Sequence, residues 1–223
     1  MKKKYIYSVS LFTLFFCCKK QSEEKSIINY QDFFSRITDI SKLKKAERIM
    51  LNDSTYRIKG NIDSYQVTGY LTENNKKIDW WKIADSNSNK KSVVIEYRLV
   101  DNKEFANQYK IFNNSKLDVY KSKYYTLTSK KGKVLYSFYV PKNVDITRTE
   151  GTFLYSVYDI KKNKEIINSK CECMNSDNQF HCTFSIPNKS NIVISGVFWE
   201  LSQIKDGKMG GSEIYVRDTI KIQ

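Results

Sequence analysis

Val134-Leu135-Tyr136-Ser137-Phe138-Tyr139-Val140 carries an apolar or aromatic side chain at Val134, Tyr136, Phe138 and Val140, every second position. Successive side chains of an extended strand point to opposite faces, so this series lines one face and marks a strand half buried against a core. The same period returns in Phe180, Cys182, Phe184 and Ile186, and again in Ile214, Val216, Ile220 and Ile222, where Asp218 interrupts it. Residues 133–140, 152–160, 165–173, 179–186, 191–201 and 212–222 all read as alternating segments, six within about 90 residues and with no helical pattern between them. That spacing predicts an antiparallel β-sandwich over 131–223, of immunoglobulin-like size. Size and fold class alone say nothing about function.

Upstream, residues 52–130 form short runs rich in Tyr, Ile and Val between turns such as Glu73-Asn74-Asn75-Lys76 and Asn113-Asn114-Ser115-Lys116, which are hairpin signals. Trp81-Lys82-Ile83 is echoed 28 residues later by Tyr109-Lys110-Ile111, each followed by a polar turn and an aromatic strand. The charged turn Ser129-Lys130-Lys131-Gly132 suggests a domain boundary near residue 130. Before the hairpins, Tyr30, Phe33, Phe34, Ile37, Ile40 and Leu43 recur at three- and four-residue spacing, predicting one helix from an N-cap at Ser26 to about Met50, although 45–51 could equally open a strand. The expected fold is therefore mainly β: an antiparallel hairpin array over 27–130 with one short N-terminal helix, then the sandwich. Sixteen Tyr and twelve Phe agree with it, and only 8 Gly and 2 Pro exclude collagen-like or low-complexity architecture.

The stretch Gly69-Tyr70-Leu71 through Asp79-Trp80-Trp81-Lys82 resembles the MORN repeat, a β-hairpin built around Gly, Tyr and Trp. Here Asp79 stands where Gly usually precedes the Trp pair, and most of the family's glycines are missing. The resemblance implies a binding or neutralising surface and supplies no catalytic machinery.

The chain opens with Lys2, Lys3 and Lys4, an apolar run over 9–16, and Cys17-Cys18. That run is shorter than the roughly 20 residues needed to cross a bilayer, so it reads as an export signal. A signal ending in Cys resembles that of bacterial lipoproteins, in which the Cys becomes the lipidated first residue of the mature protein. Cys18, with small Cys17 before it, fits better than Cys17, which follows Phe16. The resemblance implies a signal peptide over 1–17, palmitate on Cys18, and a charged tether over 18–26 that is similar to surface-export tags of Bacteroidetes lipoproteins. It would address the protein to the outer membrane, facing the periplasm or the exterior.

Cys171, Cys173 and Cys182 remain, with His181, the single histidine of the chain. A hairpin centred between Ser176 and Asp177 would set Cys171 opposite Cys182 and Cys173 opposite Phe180. Three readings stay open: a disulfide from Cys182 to Cys171 or to Cys173, a soft-metal site, or free or intermolecular thiols. His181 would face away from Cys182, which weakens the metal reading, and no metal or other cofactor is expected. One histidine, with no G-x-S-x-G, phosphate-loop or H-E-x-x-H motif, leaves little for acid–base or nucleophilic catalysis, so no enzyme is expected.

The formal charge is +14, and +11 once residues 1–17 are removed, but its lysines are scattered over turns without a nucleic-acid motif, so nucleic acid is not an expected partner. On alternate faces of a strand, one of Trp80 and Trp81 should be core and the other free to stack on a glycan or protein partner. The expected protein is a lipid-anchored, non-catalytic binding or structural module of the cell envelope. The alternatives are an immunity-type protein that neutralises a toxin through its hairpin array, and a thiol-based metal carrier.

Overall fold

Alternating burial organises the chain into two antiparallel sheets of seven strands each. The computed structural model describes residues 30–88, 90–142, 145–187 and 191–220. In the first sheet β1 (Lys44–Asn52), β2 (Thr55–Ile62), β3 (Tyr65–Thr72), β4 (Lys77–Asp85), β5 (Lys91–Val100), β6 (Lys103–Asn113) and β7 (Lys116–Leu117) lie side by side in chain order. The turn chemistry is legible at two of the connections: Asp101-Asn102 and Asn114-Ser115 both take positive φ at the two central positions, the mirror-image turn whose twist matches a hairpin.

The 28-residue echo acquires a physical meaning here. Trp81 is paired with Ile95 and Ile95 with Tyr109, so the echoed aromatics stand in one row across β4, β5 and β6. A repeat of two strands and two turns returns the same residue to the same face. Gly69, across from the irregularity that contains Asp79 and Trp80, is required by close approach: a Cβ there would lie 2.1 Å from the Trp81 ring. Asp79 takes φ 55°, the left-handed conformation for which Gly is the usual choice.

The helix is shorter than its apolar spacing predicts. α1 (Tyr30–Ile37) ends where the Thr38 hydroxyl donates to the Phe34 carbonyl at 2.7 Å and meets the Tyr97 hydroxyl at 2.8 Å. Asp39 then accepts from the Ser41 N–H and starts a single 3-10 turn, Ile40–Lys42, before β1 begins. Phe34 and Ile37 are buried in the first core with Trp81, Ile95 and Tyr109, while Ile40 and Leu43 reach it from the turn that follows. The proposed cap Ser26 lies outside the described residues.

The second sheet has the order β14-β13-β10-β11-β12-β9-β8. Its strands are β8 (Tyr124–Lys130), β9 (Lys133–Tyr139), β10 (Ile146–Asp159), β11 (Lys164–Ser176), β12 (Gln179–Ser185), β13 (Ile192–Ile204) and β14 (Met209–Ile220). β11 pairs with β10 over one part of its length and with β12 over its last residues, so the sheet folds back on itself into a sandwich. Phe138 stacks on Phe198 across the layers at 4.2 Å, with Tyr136, Phe153 and Phe180 around them. The opposite ends of the sheet meet through Asp218, which interrupts the apolar phase of β14 and accepts from the hydroxyls of Tyr125 and Tyr136.

β8 lies on the other side of the boundary expected near residue 130, because Lys131 and Gly132, at φ 50° and 74°, form a hairpin turn within the second sheet and not a linker. The passage between sheets falls at 118–123. There Asn107 of β6 uses its amide as a strand would: Tyr215 N–H donates to Oδ1 at 2.7 Å and Nδ2 donates to Tyr215 C=O at 2.9 Å. Glu96 accepts from Asn107, Gln108 and Arg98, so its buried charge is fully bonded. Among the described residues, no helix is long and apolar enough to cross a membrane.

Candidate functional site

The outer face of β11, β10, β13 and β14 departs from the polar surface that a solvated sheet face should show. The registers Glu172–Thr152, Thr152–Trp199 and Trp199–Glu213 set four side chains in one row across four strands. Leu154 and Val197 stand in the next row, and Leu201 with Gly211 in the row on the other side. Trp199 is 46% exposed, Leu201 52% and Met209 59%, so a contiguous apolar strip faces water.

This strip floors a groove of ≈ 950 Å³, lined also by Glu150, Lys170, Gly210, Ser212, Phe105 and Lys123. Ligand clefts usually run to roughly 300–1,000 Å³. Two features make it concave. Gly210 and Gly211 leave the β14 side without side chains, and a Cβ on Gly211 would meet the Glu200 carbonyl oxygen at 2.7 Å, which keeps that position bare. At the other end Phe105 packs edge-on against Tyr215 and closes the groove.

The rim is acidic and its groups are held in place. Glu172 accepts from Thr152 at 2.8 Å and pairs with Lys170 at 3.1 Å, and these bonds lower its pKa, the Thr152 bond most. Glu150 pairs with Arg148. Glu200, which points inward beside the groove, is buried, accepts from Thr149 and has a raised pKa because burial opposes its charge. Lys123 donates to the Ala106 and Glu213 carbonyls at 3.1 and 3.2 Å, and burial pushes it down to about 8. With its donors on main-chain oxygens of both sheets, its clearest role is as a clamp. The groove offers stacking surface, hydrogen-bonding carboxylates and a bare strand edge.

The residues singled out from sequence fall elsewhere. Trp81 is fully buried, with Nε1 donating to the Tyr70 carbonyl, whereas Trp80 is exposed on the outer face of the first sheet with the Lys110 ammonium over its ring. Neither lines the groove. Cys173 is joined to Cys182 and Cys171 keeps a free thiol raised by burial. The hairpin register is two residues away from the one expected: Ser176 pairs with Gln179, so Asp177, at φ 59°, opens the turn and Cys173 instead of Cys171 comes opposite Cys182. A shift of two preserves the face, which is why the cysteines still cluster. His181 turns outward from Cys182, with Nδ1 3.0 Å from Ser137 Oγ. Asp159 and Glu200 are buried carboxylates. Cys17 and Cys18, and with them the expected signal peptide over 1–17 and tether over 18–26, lie outside the described residues.

The groove did have a sequence signal. Trp199 and Leu201 occupy the phase of β13 opposite Ile192, Ile194 and Phe198, where polar residues belong, and Gly210-Gly211 sits just before the next strand pattern. No family model matches the chain, and no curated protein matches it.

Proposed function

We propose that the protein is a lipid-anchored, non-catalytic binding module of the cell envelope and that its ligand seats in the groove over Trp199. The observation that carries this is the exposed Trp199–Leu201–Met209 strip inside a concave, acid-rimmed surface, since a solvated sheet face has no physical reason to display it. The envelope address rests on the Cys18 signal in the sequence. Screening glycan and peptide libraries by Trp fluorescence, with Trp199→Ala as the control, tests the site. A ligand whose binding is lost in that variant supports it, and a ligand bound equally by the variant overturns it. Metabolic palmitate labelling tests the anchor, which predicts label on the wild type and none on Cys18→Ala.

A second reading, an immunity-type protein acting through its hairpin array, is favoured by β1. This edge strand is exposed along its whole length and presents Ile49, Met50 and Leu51 to solvent. A stoichiometric partner that co-purifies and is lost with Ile49→Asp would support it. The metal-carrier reading loses two of its ligands to the Cys173–Cys182 disulfide. Elemental analysis showing zinc or copper would restore it.

A further inference from the structure

We propose that the open edge of β14 accepts an extended peptide carrying a basic and a large apolar side chain on one face, adding it to the sheet along the groove. This rests on the groove being a binding site and names its ligand class. The N–H and C=O of Tyr215 both bond to the Asn107 side chain and therefore point away from β13. β13 and β14 pair without a register break from Ile192↔Ile220 to Gln203↔Met209. Antiparallel alternation then sends the main-chain groups of Glu213, Gly211 and Met209 to the same outer side. Lys123 takes the Glu213 carbonyl. The Glu213 N–H, and both groups of Gly211 and Met209, have no partner among the described residues.

Edges that avoid pairing carry lysine, proline or a bulge, and Met209-Gly210-Gly211-Ser212-Glu213 has none of these. The register sets the side-chain requirements. A residue laid beside Glu213 on the outer face meets a carboxylate. One laid beside Gly211 meets bare backbone, over which a long apolar chain reaches Leu201 and Trp199 on β13. Phe105 and Lys123 end the addition. Of the four glutamates in the lining, Glu150 pairs with Arg148, Glu172 pairs with Lys170 and Glu200 points inward, which leaves the Glu213 carboxylate on offer at the edge, while the Lys123 ammonium is committed to carbonyls. That carboxylate favours a cationic side chain at its position, and a formal charge of +14 disfavours a second copy of this chain as the occupant. Strand addition supplies main-chain affinity and alternate side chains the specificity.

The test uses the full chain and a short synthetic peptide in which threonine alternates with lysine and leucine. Calorimetry is expected to show binding, and amide hydrogen exchange to show protection at Gly211 and Glu213. N-methylation of the peptide amides that face β14 is expected to weaken binding by about tenfold. Glu213→Gln is expected to weaken the lysine peptide about threefold and to leave a version with threonine in place of lysine unaffected. Equal affinity for the N-methylated peptide, or no binding of the parent, overturns strand addition. If the peptide fails while another ligand quenches Trp199, the groove stands as a site but not as a strand acceptor. If no ligand perturbs Trp199, both readings fall.

Discussion

Lys123 gives the junction between the sheets an alkaline stability profile that runs against the usual trend. Its ammonium is buried between the two sheets, bonded to the Ala106 and Glu213 carbonyls, and its pKa drops from 10.5 to about 8 because burial opposes the charge. Between those values the unfolded chain binds the proton more tightly than the native one, so stability must rise with pH. The full difference is roughly 3 kcal/mol at 1.36 kcal/mol per unit, of which about 1 kcal/mol develops between pH 7 and pH 9. Buried tyrosines act in the opposite sense. Tyr97 and Tyr124 are pushed up to about 12 by burial, and Tyr109, Tyr125 and Tyr136 are raised as well. Their unfolded phenols ionise near pH 10, so stability must fall above that value. The Cys171 thiol, also raised by burial, adds to that fall. Urea unfolding at a series of pH values should therefore show a maximum near about pH 9. In Lys123→Met the rise should vanish while the alkaline fall remains. A flat or falling wild-type profile from pH 7 to 9, or an unchanged rise in the Met variant, would refute the reasoning.

Gly69→Ala drives a methyl group into the Trp81 ring and should cost about 2–4 kcal/mol in urea unfolding, partly restored by adding Trp81→Phe; an unchanged midpoint counts against the packing described. Asn107→Ala leaves the Tyr215 N–H and C=O without partners and removes one of the three donors to Glu96, and should cost about 2–4 kcal/mol; a loss within experimental error would show the junction to be dispensable. Replacing Cys173 and Cys182 together by Ser removes a cross-link at a sequence separation of 9 and should cost about 2–3 kcal/mol. Cys171→Ser should leave the disulfide intact in peptide mapping, and a Cys171-containing disulfide in the wild type would contradict the pairing.

Period-2 burial is a local property, so the strands were legible residue by residue. Val134, Tyr136 and Phe138 are fully buried as their alternation required, and each of the six segments after residue 130 is a strand. The turns were legible for the same reason, since Asn-Ser and Asp-Asn reach positive φ at low cost. Helix length was not, because a three- and four-residue apolar spacing is satisfied equally by a helix that stops at Ile37 and a 3-10 turn that carries Ile40 onward. Register was legible only to within two residues, since a shift of two leaves every side chain on its face and only the Asp177 turn chooses between Cys171 and Cys173.

The groove belongs to a different order of information. Glu172, Thr152, Trp199 and Glu213 are far apart in the chain and become one row only because β11, β10, β13 and β14 are neighbours in the sheet. Strand order is set by which apolar faces pack best in three dimensions, and no residue states it alone. The sequence by itself determined the β class, the turns and the supply of aromatic and charged side chains. Tertiary structure decided which of them meet, why Trp81 is core while Trp199 is free, and which strand edge stays open, because cross-strand neighbours are made by the pairing of distant segments.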